Sequence, residues 1–148
     1  MIEAWEELVD YVPNEEQWTA LESKALEKEK ALAAVRINAY FDSAEVKSFV
    51  VDGKEAWWDD AKRSTLRNMI ESRKENGDEN IELWFNDTAI TVTYTRAIEI
   101  LNSIEIYASE IFNQRQTKLN EITGNNDIWA IREYNEKSGY PEKPVIEL

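Results

Sequence analysis

Apolar positions recur along this chain with two different periods. Ile2, Trp5, Leu8, Val9 and Val12 are spaced as on one face of a helix, with acidic residues between them. Pro13 interrupts that pattern. Asn14, followed by Glu15, Glu16 and Gln17, has the chemistry of a helix N-terminus, with an oxygen to accept from exposed backbone N–H groups and negative charge facing the dipole. From there to about Phe41 there is no glycine or proline, which predicts one long helix. Trp18, Leu21, Ala25, Leu32, Val35 and Ala39 fall on a seven-residue repeat, with Lys28 at one of its core positions. Such a stripe either packs on its own domain or serves as an oligomerising or partner-docking face.

After Asp42-Ser43 the period changes to two. Val46 to Val51 is rich in β-formers, Asp52-Gly53 is a two-residue hairpin signal, and Lys54 to Trp58 is the return strand. Asp59 or Asp60 then caps a helix to about Asn76, with Leu66, Met69 and Ile70 as its apolar face and Gly77 as its stop. The same grammar repeats: Glu79 to Phe85, a turn at Asn86-Asp87, and Thr88 to Tyr94 alternating Ile90, Val92 and Tyr94. Thr95 is expected to cap a second long helix with apolar positions Ile98, Leu101, Ile104, Ala108, Ile111, Phe112 and Leu119, stopped by Gly124. Asn126 or Asp127 starts a short helix with Ile128, Trp129, Ile131 and Tyr134, and Pro144 keeps the last residues extended.

The expected fold is α+β: a long N-terminal helix followed by two β-hairpin–helix units forming a small antiparallel sheet with helices packed on one face. Residues 1–39 read as an acidic arm plus long helix, an attachment or oligomerisation segment, and residues 40–148 as a compact α+β domain.

Composition narrows the function classes. With 148 residues, 43% apolar content and six tryptophans, the chain is too hydrophobic for a disordered acidic tail. It has no cysteine and no histidine, which excludes disulfides, thiolate metal sites, thiol nucleophiles and serine–histidine triads. No apolar run reaches the roughly 20 residues of a membrane span, so no membrane partner is expected. The N-terminus is acidic where a signal peptide would be basic, giving the expectation of a product that remains in the cytosol or joins a particle assembled there. Asn86-Asp87-Thr88 matches a glycosylation sequon and reads as turn chemistry in that context.

The net charge of −13 is unevenly spread: residues 1–22 contain seven acids and no base, while the remainder carries 23 acids against 17 bases. The densest basic stretch, Lys62, Arg63, Arg67, Arg73 and Lys74, is interleaved with Asp59, Asp60, Glu71 and Glu75 and reads as a solvated helix face. Binding to a nucleic-acid backbone is therefore not expected.

Two constellations invite a chemical role. Asp59-Asp60 is the only adjacent aspartate pair, but successive helical residues diverge, so the pair reads as helix-capping acids and not as a metal site. Trp57, Trp58, Trp84 and Phe85 cluster at strand ends. Aromatics beside carboxylates suit a sugar platform, whereas alternating strand aromatics suit a core with one member of each doublet inward. No catalytic, cofactor-binding or metal-binding residue is assigned, and no cofactor is expected. Trp5 and Trp18 lie outside the ββα pattern, on the acidic arm, where large apolar groups need a partner surface. The candidate partner-binding residues are Trp5, Leu8, Trp18, Leu21, Leu32 and Val35.

From Tyr40 onward a set of residues carries a family likeness. They are Tyr40, Asp42-Ser43, Val46, Ser48-Phe49, Gly53, Trp57, Asp59, Arg63, Leu66 and Ile70. The second half adds Gly77, Trp84-Phe85, Ala97, Leu101, Glu105, Tyr107-Ala108, Asn113, Tyr134 and Tyr140-Pro141. Over residues 40–148 this resembles a family of domains without an assigned activity in tailed phages and prophages of gut bacteria, often beside tail-fibre genes. The resemblance implies a non-enzymatic phage structural or assembly protein, tail or tail-fibre associated or another virion component. Its partners would be other virion or tail proteins, or further copies of itself. It implies a location in the virion or, during assembly, in the cytoplasm of the bacterial host. Two alternatives come from the residues themselves. The charge suits an acidic DNA mimic inhibiting a host defence nuclease, which needs carboxylates in a continuous stripe. The aromatic cluster suits a carboxylate-based glycosidase or carbohydrate-binding module, which needs an open cleft with two carboxyl groups.

Overall fold

Asn14 opens the first helix as its chemistry predicts. Its Oδ1 accepts from the Gln17 N–H at 2.8 Å while the Asn14 N–H donates to Gln17 Oε1 at 2.9 Å, a reciprocal capping box. Helix α1 then spans Glu15–Phe41. The computed structural model describes residues 14–148; Trp5, Leu8 and the rest of 1–13 lie outside the described residues.

A first hairpin follows, β1 (Phe49–Val51) and β2 (Lys54–Ala56). Its turn residues Asp52 and Gly53 have φ of 48° and 81°, the left-handed pair that a two-residue turn requires to match strand twist. Asp59 caps helix α2 (Asp60–Glu75) by accepting from the Lys62 N–H at 2.8 Å. The second hairpin is β3 (Asn80–Phe85) and β4 (Thr88–Thr93). Helix α3 spans Tyr94–Gly124. Its cap is Thr93 rather than Thr95, because β4 runs straight into the helix and Thr93 Oγ1 already accepts from the Arg96 N–H at 3.2 Å. Asp127 caps the short helix α4 (Ile128–Arg132), and β5 (Val145–Ile146) ends the fold.

The α+β class, the long first helix and the two hairpin–helix units are as expected, but the hairpins do not merge into one antiparallel sheet. They form separate sheets, β2-β1-β5 and β3-β4. The C-terminal segment takes the free edge of β1 as a parallel strand, with the Val50 N–H donating to the Pro144 carbonyl at 2.9 Å and the Asp52 N–H to Ile146 at 3.2 Å. That pairing makes β1 the central strand of its sheet. The two hairpins meet through aromatic side chains instead. The Trp58 ring stacks on Phe85 at 4.9 Å, Phe49 packs edge-on against both, and Trp58 Nε1 donates to the Trp84 carbonyl at 3.3 Å.

Helix α3 is the spine. Ala97, Ile100, Leu101 and Ile104 enter the core shared by both sheets and by Leu66 and Ile70 of α2. Tyr107 and Ile111 pack with Phe41 and Val46, and Ile122 packs with Ala33, Ile37 and Ile131. The second half of α1 is thus part of the same body, and the helix runs unbroken through the boundary drawn at 39/40. Among the described residues no helix is long and apolar enough to cross a membrane.

Candidate functional site

Helix α1 carries apolar residues on two faces, and its surroundings treat them differently. One face, Leu26, Ala33, Ile37 and Phe41, packs against the body. Polar side chains of the same helix reinforce that docking. Lys30 Nζ donates to the Thr123 carbonyl at 2.7 Å and Arg36 Nη2 to the Ile131 carbonyl at 3.1 Å, so α1 supplies cations to the carbonyl ends of α3 and α4. Glu29 pairs with Arg132 of α4 at 2.9 Å.

The other face is the seven-residue repeat. Every one of its members, Trp18, Leu21, Ala25, Lys28, Leu32, Val35 and Ala39, is exposed. Trp18, Leu21, Leu32 and Val35 retain 52%, 48%, 46% and 65% of their surface in contact with solvent. These four expected partner-binding residues therefore lie on one continuous strip of helix. The remaining two, Trp5 and Leu8, lie outside the described residues. At about 100° per residue the strip is turned roughly 140° from the packed face, so one helix can present both. Residues 14–25 are exposed all round, so the first turns of α1 project beyond the body.

A cleft of about 520 Å³ between α2, α3 and the end of α1 brings together Trp57, Asp59, Asp60 and Glu105, the groups that a sugar-cleaving site would require. Their chemistry there is internal. Buried Arg63 donates from Nη1 to the Trp58 carbonyl at 2.7 Å, from Nε to Glu105 at 3.1 Å, and from Nη2 to Asp60. One guanidinium thus contacts both carboxylates, Glu105 and the largely exposed Asp60, and Asp59 is engaged as the α2 cap. The Trp57 ring is half-buried against Phe49 and Tyr107, with the Arg63 guanidinium 5.7 Å from its centre. Trp58 and Phe85 point inward, while Trp84 is half exposed. Among the described residues no group of three or more carboxylates is arranged to hold a metal ion.

Acids on the described surface are interleaved with bases in ion pairs such as Lys47–Asp42, Arg73–Asp78, Arg96–Glu99 and Lys143–Glu55. Sequence periodicity missed two exposed aromatics, Phe112 of α3, 45% exposed, and Trp129. Trp129 of α4 groups with Ile128 and Ile131 by spacing, yet only Ile131 is buried, and Trp129 is 69% exposed beside Arg132. A five-residue helix is too short for periodicity to tell its inner face from its outer one.

Comparison with known protein families, with curated proteins and with solved structures finds no match.

Proposed function

We propose that the protein is a non-enzymatic phage structural or assembly protein, tail or tail-fibre associated or another virion component, acting through protein–protein contacts on the outward face of α1. The observation that carries this reading is the exposure of the whole seven-residue stripe on a helix whose other face is tied into the body. A solvent-facing apolar strip of this length is a liability unless something covers it. Trp18 and Leu21 have the aromatic and aliphatic character of interface anchors, and Glu22 and Lys24 flank them with charge. The phage assignment rests on the resemblance over residues 40–148, and the location in a virion or in host cytoplasm during assembly goes with it.

The test is direct binding between the full chain and the purified products of its neighbouring genes. The wild type is compared with a Leu21→Glu/Leu32→Glu double variant, whose changes fall on exposed positions and leave the fold intact. Binding by the wild type and loss in the variant is the expected result. Equal binding by both, or a wild type that binds no such product and is also strictly monomeric, overturns the reading.

A further inference from the structure

The stripe on α1 is self-complementary in one orientation only. Read from its N-terminal end it runs Trp18, Leu21, Ala25, Lys28, Leu32, Val35. We infer that its occupant is the same stripe of a second copy of the chain, laid antiparallel about a two-fold axis between residues 26 and 27. This rests on the docking reading above and names the partner of that surface.

The argument is one of size and charge. A two-fold contact must match a surface to itself. Antiparallel about that axis, Trp18 meets Val35 of the second copy, Leu21 meets Leu32, and Ala25 meets Lys28, and each pair occurs twice. The large ring faces a medium β-branched residue, leucine faces leucine, and the lysine stem lies over the smallest side chain in the stripe. The Lys28 ammonium can then run out past Ala25 to solvent and toward Glu22 of the second copy. In a parallel pair each residue meets its own number instead. Lys28 would then face Lys28 across a narrow apolar seam, a like-charge contact that costs stability. Ala25 facing Ala25 would leave a gap one layer away.

The body permits this arrangement. Residues 14–25 are exposed on all sides, and the body covers only the opposite face of the second half of α1. Antiparallel pairing lays the projecting half of each helix along the body-backed half of the other. The seam from Trp18 to Val35 is about 26 Å long at 1.5 Å per residue. One helix wide, it falls short of the roughly 1,200 Å² of a standard stable interface. A seam this small suits a weak, dilution-sensitive dimer that a larger assembly can reinforce or replace.

Sedimentation velocity of the full chain over a wide concentration range tests the association, and disulfide trapping tests the orientation. The chain has no native cysteine, so Trp18→Cys and Val35→Cys each carry a single thiol at an exposed site. The expected result is a concentration-dependent dimer, a mixed disulfide when the two variants are oxidised together, and little disulfide from either alone. In the antiparallel pair like positions are about 26 Å apart, far beyond the roughly 7 Å limit between bridged Cα atoms. Lys28→Leu should tighten the dimer about tenfold by removing the one charge from the seam, and Leu21→Glu/Leu32→Glu should abolish it. Efficient homodisulfides from Trp18→Cys alone and Val35→Cys alone overturn the antiparallel assignment. A monomer at every concentration overturns the self-pairing outright. If that monomer still binds a neighbouring gene's product through the stripe, the docking reading survives and the occupant is that product.

Discussion

Lys118 of α3 donates from its buried ammonium to the main-chain carbonyl of Asn135 at 3.0 Å. A second hydrogen bond of 3.0 Å reaches Ser138 Oγ. The amine thereby fastens the segment after α4 to the spine helix. Both partners are neutral oxygens, and burial pulls the lysine below its ordinary pKa, against the opposing pull of Glu121 and Glu136. Replacing Lys118 with Ala removes a buried stem and the donor together. The expected loss is about 2–4 kcal/mol in urea unfolding near neutral pH. Lys118→Met restores the stem without the charge and should recover most of it.

Tyr107 makes a comparable link, its hydroxyl donating to the Val46 carbonyl at 2.5 Å in the buried junction of α1, α3 and the first hairpin. Tyr107→Phe leaves that carbonyl without its partner, and the expected cost is about 1–3 kcal/mol in chemical denaturation at neutral pH.

Alkaline pH should expose the same junction. Burial, then the neighbouring Tyr40 and Tyr140, push the Tyr107 hydroxyl from 10.0 up to about 12. Tyr134 is raised as well, by burial and by its hydrogen bond to Glu121. For a raised tyrosine the folded state holds its proton longer than the unfolded chain does. Stability from these groups is therefore complete below about pH 10 and is lost as pH climbs from there through about 12. Lys118 acts with the opposite sign: its depressed pKa makes folding more favourable as pH rises toward 10.5. Unfolding midpoints against pH should accordingly begin their fall only above about pH 10, with the tyrosinate absorbance appearing at unfolding. A midpoint falling steadily from neutral pH would contradict this.

Arg63 bridges α2 to α3 from a buried position, through Glu105 and the Trp58 carbonyl. Asp60 is almost wholly exposed, so its share of the bridge is small. Arg63→Ala should destabilise by about 1–3 kcal/mol, because it removes a buried side chain and leaves the Trp58 carbonyl without its donor, while the partly exposed Glu105 turns to water. Arg63→Lys should rescue little, since one ammonium cannot reproduce the three-way fork. Thermal unfolding of the two variants checks both statements.

The two faces of α1 are separable by mutation two residues apart. Ile37→Ala should cost about 2–5 kcal/mol, because Ile37 is wholly buried against α3 and α4. Val35→Ala, on the exposed stripe, should stay within about 0.5 kcal/mol for the monomer. Urea titrations of both variants under dilute conditions check the contrast.

Much of the fold was legible because local chemistry specified it. The Asn14 cap and the Asp52-Gly53 turn formed where local chemistry placed them, and of the candidate pairs Asp59/Asp60 and Asn126/Asp127 the structure uses Asp59 and Asp127. The exposed stripe was equally legible as a period, since a seven-residue repeat is visible without knowing what it touches. Its counterpart was not. Leu26, Ala33, Ile37 and Phe41 form the face that packs on the body, but their spacing is interrupted by Lys30. Lys30 joins that face only because the carbonyl end of α3 lies across from it.

The chain's own sequence determined the order and nature of its elements, the exposed stripe's register, and the absence of thiol and imidazole chemistry. These depend on the residue types present and on contacts within a few positions. Only the tertiary structure decided which face of α1 turns inward, that the two hairpins belong to separate sheets, and that Asp60 and Glu105 share one guanidinium. The physical reason is common to all three. Each depends on contacts between distant segments, as when Val145–Ile146 pairs with the edge of β1. Such contacts are settled by packing and edge pairing over the whole fold, which no local spacing records.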